Sequence, residues 1–190
     1  MKYFKISAIL ASIALICSLV IAGMNLLTSP IVAKNNQETE YNTIVSIFNS
    51  YDKDKSQVFE GPFDNYIESK ILAKDKDSKE LGYVYTVSGK NAYGTIKLMV
   101  AIKDGKVYQV EFLENGQSFA STVDKHVSQN YPSSEKKSIE VGFASDSSKY
   151  DGQLDQDALN NIDVACGATF GAKLVKELVN AALNDAKGGK

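Results

Sequence analysis

From Ile6 to Leu27, twenty-two consecutive positions carry no charge, ISAILASIALICSLVIAGMNLL. Wound as a helix at about 1.5 Å per residue, the run is about 33 Å long, enough to cross a hydrocarbon core of roughly 30 Å. Lys2 and Lys5 precede it. Positive residues hold their end of a span in the cytoplasm, so the main domain is expected on the far side of the cell membrane. A cleaved signal peptide is the rival reading, with Val20-Ile21-Ala22 offering small-residue character. The run exceeds the usual signal h-region of about 7–15 residues, which favours a retained single-pass anchor. Residues 1–34 are therefore read as cytoplasmic N-terminus, transmembrane helix and stem, and residues 35–190 as one extracytoplasmic domain.

Beyond the anchor the period changes. Tyr41, Ile44, Val45, Phe48 and Tyr51 fall at helical spacing and predict a helix over 37–51. A linker containing Gly61-Pro62 follows, then a strand over Tyr66–Lys74 and a charged turn over Lys74–Glu80. Tyr83-Val84-Tyr85-Thr86-Val87 has strand composition. Ile96, Leu98, Val100 and Ile102 alternate with Lys97, Met99, Ala101 and Lys103. Asp104-Gly105 reads as a two-residue hairpin turn, and Tyr108, Val110 and Phe112 alternate beyond it. The pattern predicts an antiparallel meander with one buried face. After Asn115-Gly116 come a short helix over Ala120–Gln129, a strand at Ile139–Phe143 and a short helix over Leu154–Asn160. A last helix over Ala172–Leu183 places Leu174, Val175, Leu178, Val179, Ala182 and Leu183 on one face. An antiparallel sheet flanked by helices makes the class α+β.

Composition narrows the chemistry. All twenty-one cationic residues are lysines, against twenty-three Asp+Glu. With pI near 5.5 and no arginine fork, a nucleic-acid partner is not expected. Cys17, Cys166 and His126 are too few for an iron–sulfur cluster, a c-type haem or a structural zinc site. No metal site is expected, and any redox cofactor is expected to be organic. Cys17 reads as filler within the anchor.

One constellation could carry chemistry. Asp163-Val164-Ala165-Cys166-Gly167-Ala168-Thr169 lies just before the last helix. Its small residues permit a tight loop that another molecule can approach closely. Thr169 falls at or beside the helix start, where free N–H groups and the dipole favour an anion. The plainer reading makes Thr169 an N-cap and Asp163 a local cap, on a non-redox anchored binding module. A third reading pairs Cys166 as nucleophile with His126 as base, with the helix start lowering the thiol pKa. No flanking signature supports that pair, and no catalytic residue is assigned.

DVACGAT resembles the flavinylation motif of the FMN-binding domain family, in which Asp and then Ser/Thr-Gly-Ala-Thr precede a helix. The family includes the G subunit of the Rnf electron-transport complex and the C subunit of the sodium-pumping NADH:quinone oxidoreductase. The resemblance continues through the stem Asn25-Leu26-Leu27-Thr28-Ser29-Pro30-Ile31, Gly82-Tyr83, a Ser88-Gly89-Lys90 turn, Tyr93-Gly94 and Asp104-Gly105-Lys106-Val107. It implies FMN esterified through its phosphate to Thr169 by a separate flavin transferase, with Asp163, Cys166, Gly167 and Ala168 as the recognition positions. It also implies electron transfer beside other subunits of an Rnf-type ion-translocating complex, or as a freestanding carrier. Cys166 stands where Ser or Thr is usual, and Phe170-Gly171-Ala172 where a polar pair often follows. Asn115-Gly116-Gln117-Ser118-Phe119-Ala120 occupies the place of the Glu-Thr-Pro-Gly-Leu-Gly segment of complex-bound members. Tyr93, Tyr85 and Met99 are candidates to support the flavin ring, with a core role as the alternative.

Overall fold

The computed structural model describes residues 2–133 and 154–188, so the strand expected at 139–143 lies outside the described residues. The chain divides into two compact units, Met1–Tyr41 and Asn42–Lys190. A helix, α1 (Lys2–Ile47), begins in the first unit and has its last residues in the second, and Pro30 lies inside it. Its apolar side chains from Ile9 to Val32 remain exposed. Among the described residues it is the one helix long and apolar enough to cross a membrane.

The second unit is built on five antiparallel strands in sequence order: β1 (Asp52–Phe59), β2 (Ile67–Lys74), β3 (Glu80–Asn91), β4 (Gly94–Lys103) and β5 (Lys106–Asn115). With α2 (Ala120–Asn130), α3 (Gln156–Asn160) and α4 (Thr169–Ala186), the architecture is α+β. The expected meander is present. Strand β1 replaces part of the expected linker. Its sequence, DKDKSQVF, carries lysines and aspartates along an edge that, among the described residues, pairs with β2 alone, so no apolar alternation marks it. The Ser88-Gly89-Lys90 turn is not there: β3 runs through these residues and the hairpin tip lies beyond Asn91. Gly89 instead gives room to α4, because a Cβ on it would stand 2.8 Å from Leu174 Cδ1.

The middle of the sheet is buried on both faces. Val87, Ile96, Leu98, Val100 and Ile102 pack against Val123 and Val127 of α2 and Leu174, Val175, Leu178 and Val179 of α4. On the other face Ala73, Val84, Met99 and Ala101 are covered by Ile44, Ile47 and Phe48. The single buried face expected from the alternation in β4 is thus corrected. Met99 and Ala101 fall on the outward register, but the end of α1 within the second unit shields them. Tyr85 also belongs to the core, its hydroxyl donating to Asp185 Oδ2 at 2.9 Å. That carboxylate pairs with Lys70 Nζ at 2.6 Å, and Lys70 lies over the rings of Phe59, Tyr83 and Tyr85, tying the end of α4 to three strands.

Candidate functional site

Helix α4 begins at Thr169, and its first ladder bond runs from the Ala172 N–H to the Ala168 carbonyl, 3.0 Å. The amides of residues 169–171 therefore precede the ladder, and at a helix start they carry partial positive charge. Ala168 occupies the N-cap position and has no side chain to satisfy them. Thr169 is thus the first helical residue rather than the N-cap. Its exposed hydroxyl donates to the Cys166 carbonyl at 2.7 Å, closing a turn over Gly167 and Ala168. At the other end of the loop, Asp163 Oδ1 accepts from the Ala165 N–H at 2.8 Å. The Asp thus closes a local turn at its own end of the loop, and the Thr169 hydroxyl lies exposed at the other.

Thr169 borders a cavity of about 240 Å³. The motif forms one wall with Gly167, Ala168 and Thr169, continued by Phe170 and Gly171. Tyr93 from the β3–β4 tip, Gln117 and Phe119 from the loop after β5, and Val123 of α2 complete it. No acidic or basic side chain lines it among the described residues. Tyr93 and Phe170 stack with centroids 5.4 Å apart and planes 30° from parallel. Together with Phe119 they leave three rings largely exposed around the opening, at 43%, 62% and 58%. Singly exposed aromatics are ordinary, but three on one concave rim beside an exposed hydroxyl make a surface that suits a flat ring.

The local backbone explains how distant segments meet here. Gly94 has φ +141°, and a Cβ on it would run into the Gly116 carbonyl, so the hairpin tip and the loop after β5 pack backbone to backbone. The Gly116 N–H bonds the Thr95 carbonyl at 2.8 Å, and the Ser118 N–H bonds the Tyr93 carbonyl at 3.0 Å. Asn91 Nδ2 reaches the Phe170 carbonyl at 3.2 Å, linking the tip to the first turn of α4.

The sequence candidates are placed as follows. Gly167, Ala168 and Thr169 lie together on the cavity, Cys166 is half-buried just before them, and Asp163 shapes the loop behind. Tyr93 is at the rim. Tyr85 and Met99 are buried and do not line the cavity, so their place is in the core. His126 is buried in α2, with Nδ1 3.3 Å from Asn130 Nδ2 and with Nε2 unpartnered among the described residues. Burial holds its pKa below the usual histidine value, with the Asp163 carboxylate opposing that shift. Cys166 makes no hydrogen bond to it, so the thiol–imidazole pair is not assembled. Gln117, Phe119 and Phe170 were not expected as lining residues. No local pattern marks them, because the cavity forms only when the tip, the loop and the helix start converge.

The residues present suit a flavin mononucleotide: helix-start amides that precede the ladder for a phosphate, a hydroxyl beside them, and an uncharged aromatic hollow for the ring. Comparison with known proteins agrees. Residues 92–184 match the family described as the FMN-binding domain, a span that includes every residue lining the cavity. No curated protein matches the chain. The region 92–184 belongs to the FMN-binding domain family.

Proposed function

We propose that this chain, whose residues 92–184 are an FMN-binding domain, is a membrane-anchored electron carrier that holds FMN through a phosphoester to Thr169. The observation that carries this reading is the exposed Thr169 hydroxyl at the start of α4, opening on an uncharged aromatic cavity inside the matched region. When bound, the flavin supplies reversible electron uptake and release. The chain's own residues hold it. The amides of residues 169–171 face the phosphate's negative charge in a site with no guanidinium, and Tyr93, Phe119 and Phe170 support the ring. A covalent tether keeps the cofactor at a fixed effective concentration without affinity, which suits a domain facing outward from the cell. The exposed apolar side chains of α1 support a single transmembrane anchor, with Lys2 and Lys5 favouring a cytoplasmic N-terminus.

The test is intact-mass analysis of the protein from its native membrane or from a host containing the flavin transferase. A flavin-phosphate increment is expected, with fluorescence of the denatured band on a gel. Thr169→Ala should remove both. A wild-type mass without the increment would overturn the tether. Membership of an Rnf-type complex is the expected setting, with a freestanding carrier as the alternative. Isolation from native membranes in mild detergent decides: companion membrane subunits favour the complex, and a lone flavoprotein favours the freestanding carrier.

A further inference from the structure

One amide oxygen in the cavity wall has no hydrogen-bond partner among the described residues. Gln117 is 7% exposed, lines the cavity and lies against Gly171. Its Nε2 donates to the Gly94 carbonyl at 2.7 Å. That bond orients the carboxamide, since a carbonyl can only accept, and it leaves Oε1 as the free end. Oε1 accepts no hydrogen bond among the described residues. It lies 3.3 Å from the point where a Cβ on Gly171 would stand, so the bare glycine leaves space beside it. The loop carrying it is pinned by Gly116 and Ser118 to the β3–β4 hairpin, so the acceptor is presented from a fixed backbone. An acceptor that opens on the cavity from a largely buried side chain favours a ligand that brings its own N–H over one that does not.

Resting on the reading that a flavin occupies this cavity, we propose that Gln117 is its specificity-determining residue, with Oε1 accepting a hydrogen bond from the imide N–H of the ring. Isoalloxazine carries one such N–H, on its pyrimidine edge. The surrounding aromatic rings recognise only a flat shape. Gln117 adds a demand for a donor at one end of the hollow.

The test uses the full chain in detergent, made in a host without the flavin transferase so that Thr169 is unmodified. Riboflavin and 3-methylriboflavin, which lacks the imide N–H, are titrated separately and followed by quenching of flavin fluorescence on the aromatic rim. Riboflavin is expected to bind about tenfold more tightly than its methylated analogue. In Gln117→Leu that preference should fall to near unity, with riboflavin weakened towards the analogue. Equal binding of the two probes by the unsubstituted chain overturns the proposal, as does binding of neither, or a preference kept in Gln117→Leu. If the substitution destabilises the loop, as a lowered Tm would show, the two probes on the unsubstituted chain still decide. Failure of the Thr169 tether reads out separately, as a missing mass increment in protein from the native membrane, and leaves the probe preference intact.

Discussion

Gly171 concentrates two opposed demands in one atom's space. It is in the first turn of α4, where an alanine would ordinarily gain about 0.5–1 kcal/mol over glycine in helix stability. Yet a Cβ there would stand 2.5 Å from Val123 Cγ2 and 3.3 Å from Gln117 Oε1. Overpacking a fixed wall costs about 1–3 kcal/mol, so the clash outweighs the propensity gain. Gly171→Ala is expected to destabilise the domain by about 1–2 kcal/mol net, read as a lowered urea midpoint. Adding Val123→Ala should recover part of that loss, because it removes the atom the new methyl meets; a double substitution no better than the sum of its parts would locate the strain elsewhere.

Helix α2 makes stability depend on acidity through the chain's one histidine. The fold holds His126 below its usual pKa by burial, so the folded state takes up its proton less readily than the unfolded chain. Stability from this residue is therefore complete above the unfolded value of about 6.5 and is lost as pH falls through the depressed folded value. The Tm is expected to drop between about pH 7 and pH 5, above the range where ordinary carboxylates titrate, and His126→Gln should flatten that slope. An unchanged slope in the variant would remove His126 as its source. A short helix was expected where α2 lies, and the alternation of β4 and β5, the strand composition of β3 and the apolar face of α4 were legible in the sequence. Strand β1 was not, since an edge strand with charges on both faces has no alternation to read. Nor was the supposed turn at Ser88–Lys90, where Gly89 serves close packing against Leu174 inside a strand. At the site, Thr169 and its neighbours stood out as a contiguous motif, whereas Gln117, Phe119 and Phe170 came into view only once three segments had converged.

Across the whole molecule, the boundary between the exposed apolar helix and the domain decides what can be cut away. The compact domain begins at Asn42, and its first residues, at the end of α1, are structural. Ile44, Ile47 and Phe48 are 3%, 6% and 7% exposed and cover Ala73, Val84, Met99 and Ala101; Phe48 also stacks on Tyr108 at 5.5 Å. Each such apolar side chain contributes about 1.5–3 kcal/mol by burial, so the three together are comparable with the roughly 5–15 kcal/mol margin of a whole domain. A chain starting at residue 38 keeps this cover and loses the exposed apolar run. It should remain in the soluble fraction and unfold cooperatively. A chain starting at residue 51 loses the cover, uncovering the outer face of β3 and β4, and should aggregate or unfold with a much lower urea midpoint. Because the cavity lies on the other side of the sheet, among α2, α4 and the β3–β4 tip, the first truncation should still take up flavin at Thr169. Equal midpoints for the two truncations would show that the end of α1 adds nothing to the domain, and the second buried face would then need no lid.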